Sequence, residues 1–352
     1  MNVQILDWQN PLWSQTLRKL HHDIYHLPDY VYLEAKRTRT TAEAVVIEDS
    51  ENIFFVSYLL RSCDDIFEET EILDITSPYG YSGILLSETA SNNQAFINYA
   101  LAEIKQLFKS KGVCSAFLRL HPILTTNPTE IFPSDNLVET GETVSIDLTL
   151  SESQIWAHTR KGHQSTINKC KRLGFTSRMV SVTDNIEIFK AIYDETMDRV
   201  EANLAYYFDS EYFTDLLTLD ADKLHLCFVE FENEIAAACL FFECCGIVQA
   251  HLGGTRNQFL PHSPFNLLLH DIRLWAKARK NNFLHIGSGV GGTKDSLFTF
   301  KSGFSRQLHQ WFALRLITDI EKYQELVELR ARYLHVESKE LLASKYFPAY
   351  RF

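Results

Sequence analysis

One order of elements occurs twice in this chain, and it restricts the fold more than any single motif does. Thr41–Glu48 and Ile53–Arg61 are β-rich runs joined by the polar Asp49-Ser50-Glu51-Asn52, the pattern of a hairpin. Asp74-Ile75-Thr76-Ser77-Pro78 closes another strand. Ala95–Lys111 then carries Phe96, Ala100, Ile104, Leu107 and Phe108 at helical spacing and ends in Lys109, Lys111 and Gly112, which suit a helix C-terminus. Val113–Leu120 is the next strand. In the second half the hairpin Leu224–Glu230/Glu234–Phe242 is followed by strand Ile247–Leu252, helix Phe265–Lys280 and strand Phe283–Ile286. Hairpin, strand, helix, strand, written twice, predicts two similarly built α/β domains, although unrelated α/β proteins share that order. A chain of 352 residues has the length for two cores. The expected division is 1–150 and 151–352, with Trp13–Tyr25 a short amphipathic helix ahead of the first hairpin.

Composition narrows the function classes. With 45 Asp+Glu against 34 Lys+Arg the net charge is −11, which weighs against a nucleic-acid scaffold. Hydrophobic content of 45% excludes a largely disordered chain. The longest apolar run, Ile235–Phe242, is far below the roughly 20 residues of a spanning helix, so no membrane span is expected. Met1–Trp8 has no basic head and no long apolar segment, so it does not read as a secretory signal. Seven scattered cysteines suit buried thiols in a reducing compartment, and the expected location is the cytoplasm.

Two stretches carry chemistry. From Gln154 to Thr183 there are six Lys/Arg and no acidic residue, with Arg160, Gln164, Asn168 and Lys171/Arg172 on one helical stripe. That stripe is either a solvated face or a surface for an anion such as a phosphate-bearing substrate. From Val248 to Phe304 a strand ends at Gly253-Gly254, loops, and enters a helix through Ser263-Pro264, an N-cap and first-turn pair whose amides can face a phosphate. The glycines at 287–292 lack the lysine of a P-loop, and no dinucleotide fingerprint or nucleophile elbow is present. His21, His22 and His26 lack a carboxylate to complete a zinc signature, and adjacent Cys244 and Cys245 read as packing residues, so no metal is expected. His251 is either a packed histidine or a proton acceptor.

Five segments in order resemble the Fem-type branch of the GNAT acyltransferase superfamily: Pro78-Tyr79-Gly80-Tyr81-Ser82-Gly83, Arg119-Leu120-His121-Pro122, the basic Trp156…Gly174 stretch, His251-Leu252-Gly253-Gly254, and Asp295-Ser296-Leu297…Phe300-Lys301-Ser302-Gly303-Phe304. The resemblance runs from about Ile53 to Trp311. It implies an α/β (α+β) fold of two tandem GNAT-like domains, each a mixed, mostly antiparallel sheet flanked by helices. The first domain and the interdomain cleft would hold the acceptor, and the second would supply the reactive groups. The pantetheine arm of a coenzyme A thioester would lie along Ile247–Leu252, with Leu252, Gly253, Gly254, Arg256, Ser263 and Asn266 around the donor. Arg256–Leu260 is nevertheless poor in glycine for a pyrophosphate loop. Acceptor contacts would come from Tyr79, Tyr81, Arg119, His121, Arg160, Lys171, Tyr206 and Phe298. Lys301 would stabilise negative charge and His251 would take the proton, with substrate-assisted transfer the alternative to a protein base.

The expected function is therefore a bacterial, cytoplasmic N-acyltransferase using acyl-CoA and a nucleotide-linked amino sugar of the dTDP-amino-dideoxyhexose type, for lipopolysaccharide or another cell-surface polysaccharide. Transfer would be direct, with no covalent intermediate and no nucleic-acid partner. The alternative within the family moves an amino acid from aminoacyl-tRNA to a peptidoglycan bridge, and a non-catalytic binding module is a further one.

Overall fold

Strand β1 (Asn2–Asp7) precedes Trp13–Tyr25, where the sequence predicts one helix and the fold makes a short helix and a separate 3₁₀ turn. Asn10 caps α1 (Pro11–Leu17) by accepting from Leu12 N–H at 3.0 Å. Asp23 accepts from Ile24 N–H at 2.7 Å and opens a single 3₁₀ turn, and Pro28 then starts α2 (Pro28–Thr38). The apolar spacing of Trp13–Tyr25 is real, but α1 stops at Leu17 and the capping Asp23 opens a separate turn, so the segment is not one helix. This is the computed structural model of the chain, and it describes residues 1–67, 70–344 and 346–352.

The hairpin expected next is β2 (Thr41–Asp49) with β3 (Asn52–Ser62), followed by β4 (Leu73–Thr76) and β5 (Ile84–Leu86), which pairs with β3. Helices α3 (Glu88–Ser91) and α4 (Gln94–Ser110) lead to β6 (Val113–Arg119), parallel to β4. After α5 (Pro128–Ile131) comes β7 (Leu137–Asp147). The chain continues through α6 (Glu152–His158), α7 (Lys161–Leu173), β8 (Thr176–Val180), α8 (Val182–Arg199) and α9 (Ser210–Leu216). The second hairpin is β9 (Leu224–Phe231) with β10 (Glu234–Cys244), then β11 (Ile247–Thr255), α10 (Phe265–Ala278) and β12 (Phe283–Gly287), parallel to β11. The chain ends with α11 (Ser296–Lys301), β13 (Leu308–Ile317), α12 (Ile320–Leu334) and α13 (Ser338–Ala343).

Two compact units result, residues 1–140 with 311–352 and residues 141–310. The expected cut at 150 put the whole tail with the second half, whereas residues 311–352 pack with the first. The physical reason is β13, whose Ala313–Ile317 pairs antiparallel with Ser115–Arg119 of β6. In the first unit the strand order is β1-β2-β3-β4-β6-β13, and in the second β8-β9-β10-β11-β12-β7. Each has one parallel pair spanned by a helix, β4/β6 around α4 and β11/β12 around α10. The order legible in the sequence is thus a six-strand topology made twice, the tandem GNAT-like arrangement.

Strand alternation places the cores. Val45, Ile47, Phe54 and Val56 face α4 through Phe96, Ala100, Ile104 and Phe108. Ala44, Val46 and Phe55 face α1 and α2 through Trp13, Leu17, Val31 and Ala35. In the second unit Val229, Cys239, Phe241, Val248 and Leu284 pack under Leu268, Ile272 and Ala276 of α10, with Ile167 and Cys170 of α7.

Candidate active site

The strand expected to receive a donor is open on one edge. β11 pairs with β10 along its length, Ile247↔Cys244 to Thr255↔Ala237. Its parallel pairing with β12 covers only Ile247–Gln249 against Phe283–His285. From Ala250 to Gly254 that edge has no strand partner among the described residues, while the Thr255 amide and carbonyl are taken by Thr196 and Arg199 of α8. A bulge lies here: Leu240 and Phe241 oppose Leu252 and Ala250, so His251 is the extra residue. Gly253 and Gly254 have a packing cause. A Cβ on Gly253 would lie 2.7 Å from the Phe265 ring, and one on Gly254 2.6 Å from Thr196 Oγ1.

Lys301 stands where β11 and β12 part. Asp295 caps α11 by accepting from Phe298 N–H at 2.8 Å and also accepts from Val290 N–H at 2.9 Å. That cap aims the last residue of the helix back at the strand, and Lys301 Nζ donates to the Ser288 carbonyl, just beyond β12, at 2.7 Å. Cys239, the β10 partner of Gly253, is its other electrostatic neighbour. Burial pushes the Lys301 ammonium down to about 8, against the opposing pull of Asp295 and Cys239. For Asp295, burial acts upward, but the Phe298, Val290 and Leu297 amides and Lys301 outweigh it and hold the carboxyl below its ordinary range. Burial pushes the Cys239 thiol well up, so it is a neutral wall and not a nucleophile. The sequence reading did not single out Cys239, Ser288 or the cap at Asp295; an Asp three residues before an apolar helical position was the signal available for the cap.

His251 does not join Lys301. Its Nε2 lies 3.0 Å from the Tyr212 hydroxyl, and its ring packs 4.6 Å from Phe242 and 6.5 Å from Phe208. Phe242 and Cys239 are three residues apart on β10 and so on opposite faces, which separates the two residues expected to work together. Phe298 is 7% exposed and belongs to the core, and half-buried Tyr206, just ahead of buried Phe208 in the sequence, has its carbonyl accepting from the Tyr193 hydroxyl. Phe298 is thus a packing residue and not an acceptor contact.

The loop after β11 departs from a pyrophosphate cradle. Glu195 of α8 accepts from Asn257 N–H at 2.6 Å and pairs with Arg256 at 3.4 Å, and Gln258 donates to Glu234. A cavity of about 580 Å³ beside this loop is lined by those two carboxylates. Ser263 does not cap α10. It sits in the left-handed region, φ 50°, and its hydroxyl turns to the Leu260 carbonyl at 3.4 Å, while Pro264 precedes the helix. Asn266 and Leu252 are buried, at 4% and 5% exposure. A donor pyrophosphate does not fit residues 256–264 as they stand, because the one arginine is committed to a carboxylate.

In the first unit the acceptor-side candidates do gather. Arg119 donates to the Ser77 and Pro78 carbonyls at 3.0 and 2.8 Å, and Tyr79 N–H donates to Glu34 at 3.3 Å. Tyr81 lies edge-on to Trp311 at 5.4 Å. Burial lowers the Arg119 guanidinium, opposed by Tyr81, Tyr79, Glu34 and Tyr30. His121 is a correction: it is fully buried, Nε2 faces Asp23 at 2.9 Å, and Nδ1 accepts from the Ile123 and Leu124 amides, so it braces the loop and cannot touch an acceptor. Around the 77–83 loop Arg119 Nε, Glu34 Oε1, Ser82 Oγ and Trp311 Nε1 are buried without a hydrogen-bond partner among the described residues, a deficit that a polar ligand or ordered water would fill.

The basic stripe is divided. Arg160 N–H donates to the Gly303 carbonyl at 2.7 Å, and His163 Nε2 lies 2.8 Å from the Phe300 carbonyl, tying this end to α11. Gln164 turns inward and donates to the Trp156 and Thr159 carbonyls. Lys171 lies beside α10, eleven residues and about 16 Å of helix from Arg160, so the two cannot share one phosphate.

No family model matches the sequence, and no curated protein matches it. Among solved structures the chain is similar to FemX, with a TM-score of 0.70 at 12% identity, covering 92% of this chain and 99% of that one. It is also similar to L-PGS from Bacillus licheniformis, with a TM-score of 0.53 at 13% identity, 95% of this chain and 99% of that one. A tandem GNAT protein from the clavulanic acid biosynthesis pathway gives a TM-score of 0.50 at 8% identity, with 90% and 99% covered. At these identities the likeness is one of fold, and the fold this chain takes is the tandem GNAT fold of FemX.

Proposed function

We propose that the protein is an N-acyltransferase of the Fem type that moves an aminoacyl group from aminoacyl-tRNA to a primary amine of a peptidoglycan peptide. The observation that carries this reading is Lys301 at the point where β11 leaves β12, an ammonium beside an open strand edge. Attack of a neutral amine on an activated carbonyl forms the C–N bond and puts negative charge on the carbonyl oxygen. Lys301 and amides of Ala250–Gly254 are the donors for that charge. Collapse breaks the ester C–O bond, and the amine proton passes to the departing hydroxyl oxygen, so no covalent enzyme intermediate is required. In the first unit, Tyr79, Tyr81 and Arg119 stand with buried donors and acceptors that lack partners among the described residues, and they are that unit's candidates for holding a polar ligand. His251 stands apart from this chemistry, which favours substrate-assisted proton transfer.

The fold likeness to FemX over nearly the whole chain favours a tRNA-borne ester, and the two carboxylates at the loop after β11 weigh against a coenzyme A pyrophosphate there. The second reading, acyl-CoA with a nucleotide-linked amino sugar, is favoured by the same open edge, which suits a pantetheine arm. Thermal shift separates them: aminoacyl-tRNA mimics should raise the Tm, and coenzyme A up to about millimolar concentration should not. A clear shift with coenzyme A alone reverses the order.

A further inference from the structure

The second unit holds a cavity that the proposed transfer does not use. It measures about 370 Å³ and lies between α6, α7 and α10, lined by Glu152 and Trp156, Asn168 and Lys171, and His270 and Arg273. Arg273 is 1% exposed. Its hydrogen-bond partners are neutral: NH1 donates to Thr159 Oγ1 at 2.7 Å, and Nε and NH2 both donate to His270 Nδ1, at 3.2 and 2.7 Å. A guanidinium has five N–H groups, so two keep no protein acceptor among the described residues. Among the described residues no carboxylate lies within ion-pair distance of Arg273; Asp271, which accepts from the Ser177 hydroxyl at 2.5 Å, acts on it only from farther off and does not offset the effect of burial. A buried cation with spare donors and no carboxylate in direct contact is costly unless an anion completes it.

The rest of the lining supplies more donors. Because His270 Nδ1 accepts from Arg273, its proton is on Nε2, and the ring stands as a neutral donor beside Trp156, 5.3 Å away edge-on. Lys171 is an exposed ammonium at the mouth, and Asn168 adds an amide. Trp156 also lies under the guanidinium, 5.8 Å from its carbon. Glu152 is the one acid, exposed on the first turn of α6.

We propose that this cavity is a phosphate-binding pocket, taking a phosphate monoester on Arg273 and Lys171 with Trp156 as the flat wall for whatever the phosphate carries. Bidentate guanidinium and a point-charge ammonium are the usual pair for a phosphate dianion. Burial, Arg273 and Lys171 together push the His270 imidazole down to about 3, and burial pushes Arg273 down to about 10; a bound dianion reverses both. The assignment is independent of which donor the transfer reaction uses.

The test is titration of the intact protein with inorganic phosphate, adenosine 5′-monophosphate and adenosine, by calorimetry and by NMR of the histidine ring protons. Saturable binding of phosphate or the monophosphate, weakened about tenfold by Lys171→Ala and accompanied by an upward move of the His270 titration, is the expected result. Tighter binding of the monophosphate than of phosphate assigns a nucleotide, and equal binding assigns free phosphate. No saturation by about 10 mM, adenosine binding as well as its phosphate, or affinity unchanged in both Lys171→Ala and Arg273→Lys overturns the pocket. The exposed Lys171 keeps the test decisive even if the Arg273 variant fails to fold.

Discussion

The Lys301 ammonium is held by one carbonyl, that of Ser288, in a setting that lowers its affinity for a proton to about 8. The direction fixes two outcomes. Charge stabilisation by the protonated amine is complete below about 8 and fades as pH rises through it, whereas a neutral acceptor amine gains with pH. The rate profile is therefore a bell whose alkaline limb belongs to Lys301, and Lys301→Arg, if active, removes that limb because arginine stays charged. A rate that climbs without a fall above about 8 contradicts the assignment. In stability the sign is opposite to that of an ion pair. Between about 8 and the ordinary lysine value the unfolded chain holds a proton that the folded chain has lost, so stability rises with pH across that window. Below it the cost is constant, and Lys301→Met should raise stability at neutral pH by on the order of 1 kcal/mol while turnover is lost.

At the scale of elements, the C-terminal tail is where structure adds most to the sequence. Asp74 of β4 is fully buried and accepts from Arg61 at 2.7 Å, from Tyr350 at 3.0 Å and from Arg351 at 2.5 Å. One carboxylate on β4 thus fastens Tyr350 and Arg351 of the tail. Asp74→Asn leaves Arg61 without its counter-ion and Arg351 with the exposed Asp65 alone, and should cost about 3 kcal/mol, read by denaturant unfolding. A loss below about 0.5 kcal/mol would mean the tail is held by packing of α12 alone. This network was not legible beforehand, because its members are 276 residues apart and each is an ordinary surface type. The hairpins, α4 and α10 were legible, because their periodicity is local. Arg273 was missed for a reason the helix itself shows: it lies four residues after Leu269 and three before Ala276, a cation on an apolar stripe. Ser263 was misread because a Ser-Pro start has the composition of a cap, and only the backbone, with φ of 50°, turns the hydroxyl away.

For the whole molecule, the repeat of one topology is the feature most plainly carried by the sequence, and the chemistry is the least. Both units have the strand order of the other, with β13 and β7 as the sixth strands, one following the second unit in the chain and one opening it. No local pattern announces such an exchange, which is why the expected cut at 150 differs from the units found. A chain of net charge −11 nevertheless exposes Arg160, Lys161, Lys169, Lys171 and Arg172 on and beside α7, none of them in an ion pair among the described residues. The measurement that bears most directly on the account is product formation: incubate the protein with aminoacyl-tRNA or with acyl-CoA, offer amine-bearing peptidoglycan peptides and nucleotide-linked amino sugars, and weigh the products. Wild type should give an acceptor heavier by one amino-acid residue from the tRNA ester, with Lys301→Ala lowering the rate at least about a hundredfold. No amide product from either donor, or equal rates in the lysine variant, would contradict acyl transfer at the parting of β11 and β12.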